Sequence, residues 1–489
     1  MALILLGQGG AAGPLFEDRS DALPAHQYAG GWEHFVGGGV AVFDCNADGL
    51  PDIYAAGGAN PSRLIVNQGG FAFRDAAVPE IAGVTGAYPI DIDGDAHVDL
   101  FVLRVGPNMV LRGGPNCTFE DATEAWGIPQ DDSWSTAFTA WWEEGAQRPT
   151  MAVGNYVDRD DPDGPFEACD DNQILWPSAK GYRAEALTPG FCPLSILAAQ
   201  DARGQLGLRL SNDRHYYVKG GYEQMWDIAE RRFLTEADGW PTVALWGMGI
   251  ASRDLTGDGR DEVMLTSMGD QVLQIAEEGG SYRAAPFDIG TYAQRPHTGG
   301  DGRPSTGWHA EFADVDNDGR ADLFIAKGNV DQMPGMATRD PNNLLMLGHD
   351  GRFSEAAAEA GIATMHRARG AALADFDGDG RLDLVVVNRR APMELYRNIT
   401  PDTGKRLAIT LRQKGPNRDA VGARITVETE GVPQSVQQVI GGGHAGGQLL
   451  PRHFGLGNAT RARVTVAWPD GSTGVYDLAA GEIHLIERP

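Results

Sequence analysis

What most restricts the folds open to this chain is a nine-residue pattern met five times. It reads DCNADGLPD from Asp44, DIDGDAHVD from Asp91, DLTGDGRDE from Asp254, DVDNDGRAD from Asp314 and DFDGDGRLD from Asp375. Oxygen-bearing side chains stand at places one, three, five and nine, and glycine at place six in all but the second copy. Oxygens at every second residue, followed by a turn, wrap a chain around a hard cation; this is how calcium loops collect six or seven ligands. Without a cation, so many carboxylates so close together would repel one another strongly. The pattern predicts five calcium sites. Their ligand sets are Asp44, Asn46, Asp48, Leu50 and Asp52; Asp91, Asp93, Asp95, His97 and Asp99; Asp254, Thr256, Asp258, Arg260 and Glu262; Asp314, Asp316, Asp318, Arg320 and Asp322; and Asp375, Asp377, Asp379, Arg381 and Asp383. At place seven (Leu50, His97, Arg260, Arg320, Arg381) the ligand is the backbone carbonyl, since none of these side chains suits calcium there. The competing reading is a set of Asp/Gly turns that hold no metal. It does not account for the same places recurring in every copy.

The loops are not EF-hands, which need a bidentate Glu at place twelve and a following helix. Place twelve is Ala55, Val102, Leu265, Ile325 and Val386, within short apolar runs such as Leu323-Phe324-Ile325 that read as buried strands. The ninth residue therefore closes each cage from the first position of a strand. Glycine-rich apolar segments precede the loops, as in HFVGGGVAVF before Asp44 and RARGAALA before Asp375. They read as inner strands whose glycines permit close backbone approach. Upstream lies a second recurring piece, Phe16-Glu17-Asp18, Phe73-Arg74-Asp75, Phe119-Glu120-Asp121 and Phe353-Ser354-Glu355.

Loop starts recur at roughly 47 to 61 residues, the size of a four-stranded propeller blade. The expected fold is all-β: a calcium-loop β-propeller over residues 14–402, of seven blades with six as the alternative. The N-terminal strand should complete the last blade. WEEGAQRPT, from Trp142 to Thr150, marks a degenerate unit without metal, and the period then breaks. Residues 157–205 are expected as an insertion, either a decorated loop or an unrecognised blade. From 403 to 489 the texture changes to period-two alternation, as in LAITLRQKG and ARVTVAWPDG, which predicts a separate small antiparallel β domain.

The formal net charge is −27. About eighteen carboxylates sit at ligand places, and five divalent ions would offset about ten charges, so much of the acidity is local metal ligation. Such a surface disfavours nucleic acid and anionic membrane, and no stretch is long and apolar enough to span a bilayer. MALILLGQGGAAG has an apolar run but no basic start, so residues 1–13 read as a truncated signal remnant or a misplaced start. Weak multi-site calcium loops favour an exported protein, secreted or periplasmic. Four cysteines permit two disulfides: Cys169 and Cys192 flank one irregular segment and would staple it, leaving Cys45 and Cys117.

The Asp loops resemble FG-GAP and VCBS-type propeller repeats, as in integrin α heads. The tail pieces GPNRDAVGARITV, GGGHAGGQ, HFGLGNAT and VAWPDGS resemble the ASPIC/UnbV domain. The combination resembles the cartilage acidic protein family, in a bacterial-type member. The resemblance implies a secreted calcium-binding propeller, usually of seven blades, acting in extracellular binding. The chain departs from that pattern at its degenerate third unit and at Ala96, where the loop glycine is missing.

Propeller ligands commonly sit at the mouth of the central channel. His34, Trp246, Trp308, His309, His366 and Arg367 fall at or near inner-strand starts. They would line a ligand pocket or a transition-metal site built on imidazoles, or simply pack a propeller face. No catalytic signature stands out: there is no Walker loop, G-x-S-x-G or H-E-x-x-H. Two function classes remain. One is a calcium-rigidified scaffold binding a protein, glycan or small ligand. The other is an enzyme or biosynthetic accessory with a His/Trp site at the channel mouth and structural calcium.

Overall fold

The structure, a computed structural model, describes residues 13–162, 168–213, 221–292, 301–331 and 333–488. The leader expected over residues 1–13 lies, but for Gly13, outside them. Among the described residues seven sheets follow one another along the chain, each with four antiparallel strands, the first joined by a fifth, parallel strand from the tail. Their innermost strands are Val40–Phe43, Val84–Ile90, Ser135–Trp141, Pro193–Gln200, Gly247–Arg253, Gly307–Ala313 and Arg367–Ala374. Each touches the next, and the last touches the first, so the ring is closed. The fold is a β-propeller, and the sheets are numbered here as blades 1 to 7 in that order.

Closure uses the N-terminus. Phe16–Asp18 pairs antiparallel with Glu394–Asn398 and supplies the outermost strand of blade 7. The other Phe-x-acid pieces are outermost strands as well, at Phe73–Ala76, Thr118–Asp121 and Phe353–Glu355. The stretch expected as an insertion is mostly propeller. Asn172–Ser178 and Gly181–Leu187 finish blade 3, and Pro193–Gln200 opens blade 4. Cys169–Cys192 spans the crossing between these blades, and Cys45–Cys117 ties the first acidic loop to blade 2. The period was unreadable here because blades 3 and 4 carry no acidic loop, and their apolar strands alone have no distinctive spacing.

Inner strands of blades 2 to 7 share a register shift near their start, as between Gly247 and Ile250 or Gly307 and Ala310. A bulge of this kind bends and twists a strand locally. Apolar side chains join neighbouring blades: Val42, Ile53 and Leu64 of blade 1 belong to the same buried cluster as Ala372, Val385 and Leu395 of blade 7.

The tail folds into two sheets over its own core of Leu407, Ile425, Phe454, Val464 and Trp468. One places Lys405–Gln413 between Arg452–Gly457 and a parallel Ile483–Arg488; the other runs Gln434–Gln437, Arg424–Glu428, Arg461–Ala467, Thr473–Ala479. The sheets are therefore not purely antiparallel, nor is the domain separate. It sits on the propeller face that carries the acidic loops: Gly404 N–H donates to Asp316 O (2.9 Å), and Arg424 pairs with Asp261 (2.7 Å). The segment after Gln437 then enters the channel.

Candidate metal centre and the plugged channel

Each acidic loop leaves the end of an inner strand and returns into the second strand of its blade, and all five share one hydrogen-bond scheme. The first carboxylate accepts the N–H of place six: Gly49, Ala96, Gly259, Gly319 and Gly380 donate to Asp44, Asp91, Asp254, Asp314 and Asp375 at 2.8–3.1 Å. The ninth carboxylate accepts the N–H of place two at 2.8–3.1 Å. The fifth accepts the N–H of place seven. Places four and six both have positive φ in every loop. Ala96 takes φ +75° where the other copies have glycine, so the second loop keeps its geometry at the modest cost an alanine meets in that region.

Where places one, three and nine are all Asp, their oxygens converge. Asp91, Asp93 and Asp99 form one triad, Asp314, Asp316 and Asp322 a second, and Asp375, Asp377 and Asp383 a third, each within 4.8 Å. In the Asp44 loop, place three is Asn46, whose amide turns to donate to Asp48 (2.8 Å); in the Asp254 loop it is Thr256. Burial, and then neighbouring carboxylates, push these acids up against the N–H donors that pull them down. Asp52 and Glu262 reach about 7, Asp99 about 8, and Asp91 and Asp375 about 6. Asp314, Asp322 and Asp383 are also raised well above the usual carboxylate range. Asp375 Oδ1 and Glu262 Oε1 are buried without a hydrogen-bond partner. An oxygen-only donor set with surplus buried negative charge fits a hard divalent cation. Cys45, Asp52 and Cys117 also cluster, but the two cysteines are joined as a disulfide.

Arginines cover the outer side of the loops. Arg112 reaches Asp93 (2.9 Å) and Asp95 (2.7 Å), Arg397 reaches Asp377 (2.7 Å), and Arg260, Arg320 and Arg381 each fold back on their own place-five carboxylate. Three of the place-seven side chains thus cap a place-five carboxylate as cations, which leaves their carbonyls as the available oxygens.

The channel is filled by the chain's own tail. Ile440 bridges to Ala140, Gly441 to Leu197, Gly443 to Ile250 and Gly446 to Ala87, and Gln448–Leu449 runs parallel to Val42 and Phe43 as a fifth strand of blade 1. Inner-strand glycines make this passage: a Cβ on Gly39 or Gly86 would stand 1.8 or 1.7 Å from Ala445 O. At the tip, fully buried His444 lies 5.0 Å from the Trp308 ring, and its N–H donates to His309 Nδ1 (3.3 Å). Burial pushes the His444 imidazole down to about 3.

The residues expected at the channel mouth separate accordingly. Trp308 is buried, donates to Gly328 O (2.6 Å) and carries the Arg369 guanidinium 4.0 Å over its ring; Trp246 packs in the same cluster. His309 faces the plug, with Nε2 3.5 Å from Glu311. His34 sits in a short turn before the inner strand of blade 1, against Tyr28 and under Arg389. His366 is half-exposed beside Glu394 (3.7 Å), and Arg367 pairs with Asp331 (2.9 Å). The three imidazoles have separate partners, and among the described residues no cluster of metal-ligating side chains includes a histidine. Sequence reasoning missed Arg369, which is fully buried and donates to the carbonyls of Phe35, Ala368 and Asn329. An arginine inside an alanine-rich strand was the available signal.

Topology and ring closure define a β-propeller with a docked C-terminal β domain. The FG-GAP-like repeat family matches residues 44–102, 254–325 and 335–386, which together hold all five loops, and ASPIC and UnbV matches 413–489. In sequence the chain is similar to cartilage acidic protein 1. It is 26% identical to the Homo sapiens protein over 178 residues, 36% of this chain and 26% of that one. With the Xenopus tropicalis protein it shares 28% over 184 residues, 36% and 27% of the two chains. The match thus spans about a quarter of the curated relatives' length. Among solved structures, BBS1N in complex with ARL6DN covers 79% of this chain and 97% of that chain, at 9% identity and a TM-score of 0.46.

Proposed function

We propose that the protein is an exported calcium-binding propeller that acts as a scaffold for a protein, glycan or small ligand. The observation that carries the calcium reading is the single hydrogen-bond scheme repeated in five loops around buried, under-compensated carboxylates. The ions would rest on places one, three, five and nine and the place-seven carbonyl, and would supply charge neutralisation and rigidity, not chemistry. Export is supported by the two disulfides, which persist in oxidising compartments. No helix among the described residues is long and apolar enough to cross a membrane. A scaffold is favoured over a channel-mouth enzyme because the channel holds the protein's own glycine-rich segment.

Metal analysis after dialysis against calcium tests the reading. The expectation is five ions per chain: three tightly held in the all-Asp loops, and two more weakly held in the Asp44 and Asp254 loops, which carry fewer carboxylates. Fewer than three would overturn it.

A further inference from the structure

Where the tail domain meets the channel, a cavity of about 460 Å³ opens between the acidic-loop face and the two tail sheets. This is the size range of a small-molecule site. Four arginines line it: Arg253 at the end of the blade 5 inner strand, and Arg406, Arg412 and Arg452 on the tail; Arg412 is paired with Asp419 (2.5 Å), which leaves three without a close carboxylate. Arg253 is 7% exposed and, among the described residues, its guanidinium makes no hydrogen bond or ion pair; it lies 5.3 Å over the Phe454 ring. Arg406 Nη1 is buried without a partner, and its other Nη is only loosely placed, 3.8 Å from Asp375. Arg452 is held by Gln438 Oε1 (2.7 Å) and Val439 O (3.2 Å), neither of them charged.

Three guanidinium groups facing one buried space repel each other unless an anion joins them. Three carboxylates line the cavity too: Glu311, and Asp44 and Asp375, whose charge calcium in their loops would offset. Glu311 accepts from Gln448 Nε2 (2.8 Å) and Leu373 N (3.1 Å), and Asp44 and Asp375 accept the place-six N–H of their own loops. Of the carboxylates whose field reaches Arg253, Asp261 is paired with Arg424, and Asp254 and Asp314 are loop ligands. To this extent the inference rests on the calcium reading: ions in those loops offset their carboxylates and leave Glu311 as the one lining acid facing the three guanidinium groups.

We propose that this cavity binds a small organic anion, its carboxylate or equivalent acid group held by Arg253, Arg406 and Arg452 and its apolar remainder lying along Leu373, Ile409 and Leu411. Planar guanidinium forks suit a carboxylate geometrically as well as electrostatically. An apolar tail would gain from the aliphatic wall in proportion to the area covered.

The test uses the full chain loaded with calcium, its calcium content measured in every sample. Crystals soaked in bromide should give an anomalous peak among the three guanidinium groups. In calorimetry, hexanoate should bind once per chain and at least tenfold more tightly than acetate. Arg253→Gln and, independently, Arg406→Gln should each weaken hexanoate at least tenfold, while Arg461→Gln, on an exposed tail strand, should not. Calcium-replete protein with no bromide in the cavity, or hexanoate binding indifferent to both substitutions, overturns the proposal and leaves the calcium reading standing. Should Arg253→Gln fail to fold, Arg406→Gln and the bromide position decide. Protein that takes up no calcium refutes the earlier reading instead.

Discussion

His453 Nε2, on the tail domain, donates to Asn317 Oδ1 at 2.6 Å, and Asn317 is the fourth residue of the Asp314 loop. The Asn317 amide nitrogen is directed at Gly380 O (3.0 Å), so its oxygen is left to accept. Gly457 N–H donates to Asn317 O and Gly404 N–H to Asp316 O. One loop of blade 6 is thus joined at once to the tail domain and to the neighbouring loop of blade 7.

Loosening that loop should loosen the seam. In excess chelator, hydrogen exchange at Gly404 and Gly457 should accelerate by an order of magnitude or more, while amides of Arg461–Ala467 inside the tail sheet hold their rates. Equal acceleration of both would mean that the tail domain melts as a whole instead of undocking.

Calcium-free stability should fall as pH rises between about 6.5 and 8.5. Asp52 and Glu262 are raised to about 7 and Asp99 to about 8, so the folded state binds more protons than the unfolded chain. Their stabilisation is complete below the ordinary carboxylate range and is lost as pH passes through the folded values. Below about pH 6.5 buried His34, His444 and His453, all pushed down, resist protonation and offset part of this gain, but the raised carboxylates outnumber them, so the slope should flatten without changing sign. With calcium bound, protons compete with the ion, and stability should instead rise with pH over the upper window. Melting temperatures in chelator and in calcium across this range check the sign.

Asp316→Ala should destabilise the calcium-loaded protein by about 2–3 kcal/mol, through loss of an occupied site. Asp18 is an exposed carboxylate bonded to Ser20 N (2.9 Å) in the closing strand. Its replacement by Ala should cost no more than about 1 kcal/mol. Equal melting temperatures for the two variants in calcium would contradict the ligand assignment.

Gly86→Ala should expel or distort the plug. The new methyl would stand 1.7 Å from Ala445 O, a backbone atom that cannot rotate away. A cost of about 1–3 kcal/mol is expected, with new protease sensitivity between residues 438 and 449. Gly335→Ala, with nothing within 4 Å of its added carbon, is the control.

The acidic loops were legible because their code is local: nine consecutive residues carry the oxygens, the turn and the start of the next strand, so Asp314 to Asp322 can be read without knowing what surrounds them. Ring closure was legible too, since Phe16-Glu17-Asp18 repeats the outer-strand piece of other blades. Blades 3 and 4 were not, because their loops lack that local code.

By itself the sequence determined the loops, the blade period and the presence of a distinct tail, all of which follow from side-chain chemistry at fixed short spacings. Only the tertiary structure decided what the glycines admit. Gly39, Gly86 and Gly446 announce close approach, but nothing near them names Ala445 or Val40 as the neighbour, since the contact spans hundreds of residues of chain. The same holds for Arg253, Arg406 and Arg452. Each is an ordinary arginine in its own strand, and they become a charged cavity only when the tail folds back on the propeller, because electrostatic coupling depends on distance in space and not along the chain.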